Sequence, residues 1–142
     1  MANRPLERVG ISSPPAAHII TKTVKVTRSD TTAFDAFWLP KGAVVAGAYV
    51  MGQTASDADT TAIVSLGSNP GTTDEVISAF SVKTNGAGYY AVTTTEGTKI
   101  GEQVTADTLI KAKYTETGTA STTGGPWLCK VEYYIPQPGN SW

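Results

Sequence analysis

Apolar and polar residues along this chain alternate with a period of two, in runs of six to ten residues, and helical spacing of strong helix formers does not recur. The run Phe34–Gly52, FDAFWLPKGAVVAGAYVMG, dominates the pattern. It predicts two apolar strands, Phe34–Leu39 and Ala43–Met51, joined as a hairpin by Pro40-Lys41-Gly42. The second of these is apolar at nearly every position, which predicts a strand covered on both faces, by a second sheet or by a neighbouring subunit.

The remaining runs follow in order. His18–Thr27 places Ile20, Val24 and Val26 on one face, with Lys22 interrupting that face and requiring an edge position. Ala62–Gly67 aligns Ala62, Val64 and Leu66. Glu75–Lys83 fits a strand or a short helical turn. Tyr89–Thr95 reads as a strand entered through Asn85-Gly86, a hairpin signal. Lys99–Thr105 is a short edge strand or loop. Thr108–Thr115 turns Ile110, Ala112 and Tyr114 inward and Lys111 and Lys113 outward. Trp127–Ile135 is the clearest strand, with Trp127, Cys129, Val131, Tyr133 and Ile135 on one face and Leu128, Lys130, Glu132 and Tyr134 on the other. Asn69-Pro70-Gly71 marks a turn. All eight prolines fall in terminal segments, at turns or at strand ends. The expected fold is all-β, an antiparallel sandwich of jelly-roll type with about eight strands, ahead of an immunoglobulin-like sandwich. Residues 17–136 form that domain, residues 1–16 an extended N-terminal arm rich in proline, and residues 137–142 a tail.

Composition narrows the chemistry. A chain of 142 residues is long enough to bury a core without disulfides or metals. Threonine is the most abundant residue, as suits pleated surfaces. The net charge of −1 gives no basic field for nucleic acid. The longest apolar stretch is too short for a membrane span, and the N-terminus lacks a signal-peptide core, so synthesis in the cytoplasm is expected. With one histidine, His18, and one cysteine, Cys129, a catalytic triad or a zinc site is poorly supplied. Asp57, Asp59, Asp74 and Glu75 offer carboxylates to calcium but in no EF-hand spacing. No phosphate-binding glycine loop occurs. The residues therefore predict no enzyme, no cofactor and no metal.

Two aromatic doublets carry more information. Tyr89-Tyr90 and Tyr133-Tyr134 each send one ring to either side of a strand. Outward Tyr134 shares its face with Leu128, an apolar-aromatic patch fit for a subunit contact. In the N-terminal arm, Arg4, Leu6 and Arg8 are candidates for reaching a neighbour, with Val9 and Ile11 as further anchors.

The succession FWLPKGAVVAGAYV, TTAIVSLGSNPGTTD and VTADTLIKAKYTETGTASTTGGPWLCKVEYYIP resembles the head decoration, or cement, proteins of tailed bacteriophages. The resemblance spans roughly residues 34–136 and consists of strand and turn patterns with no enzyme residues. It implies a homotrimeric β-sandwich on the outer surface of the virion head, with the major capsid protein and further copies of itself as partners. The alternatives are a tail-fibre or spike module that recognises a carbohydrate receptor, and a small hydrolase. Trp38 and Trp127 read as core residues, which leaves only Trp142 for stacking on sugars.

Overall fold

The computed structural model describes residues 18–72 and 75–136. Arg4, Leu6, Arg8, Val9, Ile11, Asp74 and Trp142 lie outside the described residues. Eight strands follow one another: β1 (Ile20–Val26), β2 (Phe34–Leu39), β3 (Val44–Gly52), β4 (Thr61–Gly67), β5 (Ile77–Ser81), β6 (Gly88–Ala91), β7 (Thr108–Thr117) and β8 (Trp127–Tyr134). Among the described residues there is no helix.

All strand pairs are antiparallel, and the two sheets have the orders β1-β8-β3-β6 and β2-β7-β4-β5. Strand pairing is nested: β1 with β8, β2 with β7, β3 with β6, β4 with β5. A long ribbon folded at its β4–β5 tip and wrapped into two layers has this connectivity, which is the jelly roll. Only β4 and β5 are consecutive strands of one sheet.

Two expected hairpins are therefore corrected. β2 and β3 belong to different sheets, so Pro40-Lys41-Gly42 carries the chain across the sandwich. Gly42 takes a φ of 90°, where glycine has no Cβ penalty. The Asn85-Gly86 turn likewise crosses from β5 to β6. Glycine at 86 answers a packing demand: a Cβ there would strike the Val82 carbonyl oxygen and come within 2.7 Å of Ala55 Cα. The segment Lys99–Thr105 forms a loop that runs beside the start of β3, bridging Gln103 to Val44 and exchanging backbone hydrogen bonds between Gly101, Glu102 and Val104 and Gly42, Ala43 and Val45.

The real hairpin tip is held by a buried carboxylate. Glu75 accepts hydrogen bonds from the Ser68 and Asn69 backbone N–H groups at 2.8 and 2.6 Å, and from the hydroxyls of Ser68 and Thr72. Gly67 makes room for it, since a Cβ there would occupy the carboxylate's position.

The core lies between the sheets and contains Val26, Leu39, Val45, Val50, Val64, Leu66, Ile77, Phe80, Val131 and the stacked pair Tyr114–Trp127, whose rings are 5.3 Å apart at 9°. Trp127 donates its indole N–H to Gly86 O. The Tyr114 hydroxyl lies 2.8 Å from Ser56 Oγ and donates to Glu116, which also accepts from Ser121.

Two β-bulges decide which side chains face this core. In β2 the register shifts between Asp35 and Phe37, so Phe37 and Leu39 turn inward and Trp38 turns out. Trp38 is 59% exposed, correcting its assignment to the core. In β3 a shift between Val45 and Gly47 brings Val45, Ala48 and Val50 inward. Both faces of β3 are nevertheless apolar, and only the inner one is covered. Its outer face carries Tyr49 and Met51 among small residues and is not roofed by another layer of the described residues.

Candidate interaction surface

The outer face of the β1-β8-β3-β6 sheet carries Tyr49, Tyr89 and Tyr134, whereas Trp38 is exposed on the other sheet. Antiparallel register sets Tyr49 opposite Lys130, Met51 opposite both Leu128 and Tyr89, Gly47 opposite Glu132, and Val44 opposite Tyr134. Tyr89 stands out from its short strand while Tyr90 turns in against Phe80, with centroids 6.2 Å apart. Tyr133 is buried and Tyr134 half-exposed, so both doublets divide as their alternation predicts.

At the centre, the rings of Tyr49 and Tyr89 are 5.6 Å apart, and the Lys130 ammonium lies 4.8 and 5.4 Å from their centroids. Such cation–π contacts contribute about 0.5–1 kcal/mol at exposed sites. The Glu132 carboxylate beside Tyr49 holds its phenol above the ordinary value, with burial and the phenol's hydrogen bond to that carboxylate acting the same way. Hydrogen bonding to Tyr89 raises the Lys130 ammonium, and the Glu132 charge acts in the same sense. Near neutral pH Tyr49 is thus a neutral phenol beside the Lys130 cation. Gly47 leaves space for the Tyr49 ring: a Cβ there would lie 3.2 Å from the phenol oxygen.

Leu128 and Tyr134 do lie on this face, Leu128 being 38% exposed. They do not meet. They are six positions apart along β8, about 20 Å at the usual rise, and Lys130 and Glu132 fill the interval. Sequence reasoning missed Tyr49, Lys130 and Glu132 because they fell on strands judged by their apolar face. The cross-strand register that joins them is not a local property.

Residues considered for chemistry are placed differently. Cys129 is buried among apolar side chains, and desolvation pushes its thiol up to about 12. His18 is exposed at the entrance to β1. Asp57 uses both carboxylate oxygens on Thr122 and Thr123, accepting from two backbone N–H groups and one hydroxyl at 2.7–2.9 Å. These bonds, that to the Thr123 N–H first, hold its carboxyl well below the usual range. Asp57 thereby ties the β3–β4 loop to the β7–β8 loop. Among the described residues no three acidic, histidine or cysteine side chains cluster as metal ligands would.

No protein-family model matches the sequence, and no curated protein does. Solved structures do match in fold. Two bacteriophage capsid structures contain chains of this shape. One is the acid-stable capsid of Helicobacter pylori bacteriophage KHP30, where the matched chain has a TM-score of 0.57 at 15% identity, covering 88% of this chain and 92% of the other. The second is the capsid asymmetric unit of cyanophage Pam1, with a TM-score of 0.55 at 19% identity, covering 96% of this chain and 100% of the other. At such identities the likeness establishes the shared fold. It extends over nearly the whole of each chain.

Proposed function

We propose that this protein is a structural component of a bacteriophage head, a decoration or cement protein that binds the outer surface of the shell and reinforces the major capsid lattice. The observation that carries this reading is the eight-stranded jelly roll shared along 88% and 96% of the chain with chains of two phage capsids. The exposed Tyr49–Tyr89–Lys130–Glu132 cluster supports it: tyrosine is enriched at protein interfaces, where its ring supplies area and its hydroxyl a polar contact. The work is adhesion and not catalysis. Copies associate as a homotrimer, so each contact repeats by symmetry and weak contacts sum across the lattice. The N-terminal segment with Arg4, Leu6 and Arg8 adds a further attachment, and Leu128 and Tyr134 pack between copies.

The exposure of Trp38 favours a second reading, a tail-associated module that stacks an indole on a sugar ring. Co-sedimentation separates the two. Purified protein mixed with empty shells of the phage's major capsid protein should pellet with them at saturating stoichiometry. Protein that stays in the supernatant, yet binds host-cell envelopes in a Trp38-dependent manner, would refute the decoration reading in favour of the tail module.

A further inference from the structure

The two sides of the sandwich are closed to different degrees. On one side the edge strands β5 and β6 meet through Phe80 and Tyr90, and Phe80 is fully buried. The other side is bounded by the edges β1 and β2. There, residues on the inner faces stay partly open: Ile20 is 37% exposed, and Val24, Phe34 and Phe37 are half-buried. Ile19, 55% exposed, lies at the same edge.

The four edges also differ as templates for pairing. β6 has four residues and β5 five, and the Ser78 N–H of β5 is already bonded to Glu96 O. β2 is broken by its bulge. β1 runs seven residues in unbroken register with β8, and among the described residues its other edge has no strand beside it. An unpaired edge of that length is ordinarily guarded. Its guard is Lys22, which points to the inner face, half-buried, and has no carboxylate partner among the described residues. An inward ammonium of this kind repels an arbitrary apolar strand but admits one that brings a carboxylate to meet it.

We propose that β1 is the docking edge for the shell: an extended segment of a neighbouring major capsid subunit adds to it as a strand. Its apolar side chains pack against Ile20, Val24, Phe34 and Phe37, and an Asp or Glu pairs with Lys22. Main-chain hydrogen bonds give the attachment its strength, and the lysine gives it its selectivity. The inference rests on the decoration reading and specifies which face meets the shell.

The test uses the full chain and empty shells of the major capsid protein. Lys22→Glu should weaken co-sedimentation at least tenfold, while Lys113→Glu on the opposite sheet binds as the unaltered protein does; thermal melting confirms that both are folded. A photo-cross-linking amino acid at position 22 should capture a capsid segment that contains a carboxylate. If the unaltered protein binds shells and Lys22→Glu binds equally well, the edge proposal fails and the decoration reading stands. Cross-links from position 22 to residues 1–17, or to another copy of this chain, overturn it as well. If the unaltered protein does not bind shells, both readings fall together.

Discussion

Replacing Glu75 by glutamine changes one oxygen for an NH2 group and leaves the shape of the side chain intact, so it isolates the role of the carboxylate at the ribbon's tip. In the native protein Oε2 accepts from Ser68 N at 2.8 Å and Oε1 accepts from Asn69 N at 2.6 Å, while Ser68 and Thr72 hydroxyls complete the shell. A glutamine can satisfy one backbone N–H with its oxygen but must turn its NH2 toward the other, donor against donor. One charge-assisted bond is lost and the second becomes neutral, while the N–H left over belongs to an exposed residue that water can reach. Hydrogen bonds to charged groups contribute about 1.5–3 kcal/mol, so Glu75→Gln should cost about 2 kcal/mol. For a domain of this size that is a drop in melting temperature of roughly 6 °C. Gly67→Ala should act on the same site from the other side, because its Cβ would displace the carboxylate. Differential scanning calorimetry reads both. A Glu75→Gln protein melting within about 1 °C of the original would refute the claim that this carboxylate holds the tip.

Other consequences follow from the same geometry. Asp57 is depressed below the ordinary aspartate value of 3.8, so its contribution to stability is complete above that pH and is lost as the pH falls toward the folded value; urea titrations between pH 5 and 2 should show a steeper acid loss for the native protein than for Asp57→Asn. Cys129, with its thiol raised to about 12, should ignore a thiol reagent at pH 8 until the protein is unfolded, and a native-state reaction on the same timescale would contradict its burial. Gly86→Ala forces a methyl onto the Val82 carbonyl and should cost about 2–3 kcal/mol in urea unfolding, at the upper end of overpacking effects. Tyr114→Phe removes a hydroxyl bonded to Ser56 and Glu116 and should cost about 1–2 kcal/mol, with the Trp127 stack preserved in near-ultraviolet circular dichroism.

Much of the fold was legible because period-two patterning records burial directly. Trp127–Tyr134, Thr108–Thr117 and Thr61–Gly67 all bury the face that alternation assigns, and Lys22 does sit on an edge strand. The failures share one cause. Which sheet a strand joins depends on residues far away in the chain, so Phe34–Leu39 and the β3 strand, close in sequence, look like hairpin partners although each pairs elsewhere. A single extra residue at Ala36 then reverses the facing of everything after it, which sent Trp38 to the surface and Phe37 inward. The local pattern does not mark the extra residue, since Ala36 is small and apolar like its alternatives. The interaction surface was half legible for the same reason: outward Leu128 and Tyr134 follow from alternation within β8, whereas Tyr49 meets Lys130 only through cross-strand register. Arg4, Leu6 and Arg8 lie outside the described residues, and their role belongs to the proposed function.

The account stands on adhesion to a phage shell, and imaging tests that most directly. Electron cryomicroscopy of particles made with and without this gene should show, in the difference map, β-sandwich-sized densities at regular lattice positions on the outside of the head. A difference confined to the tail tip, or no difference on the shell at all, would contradict it.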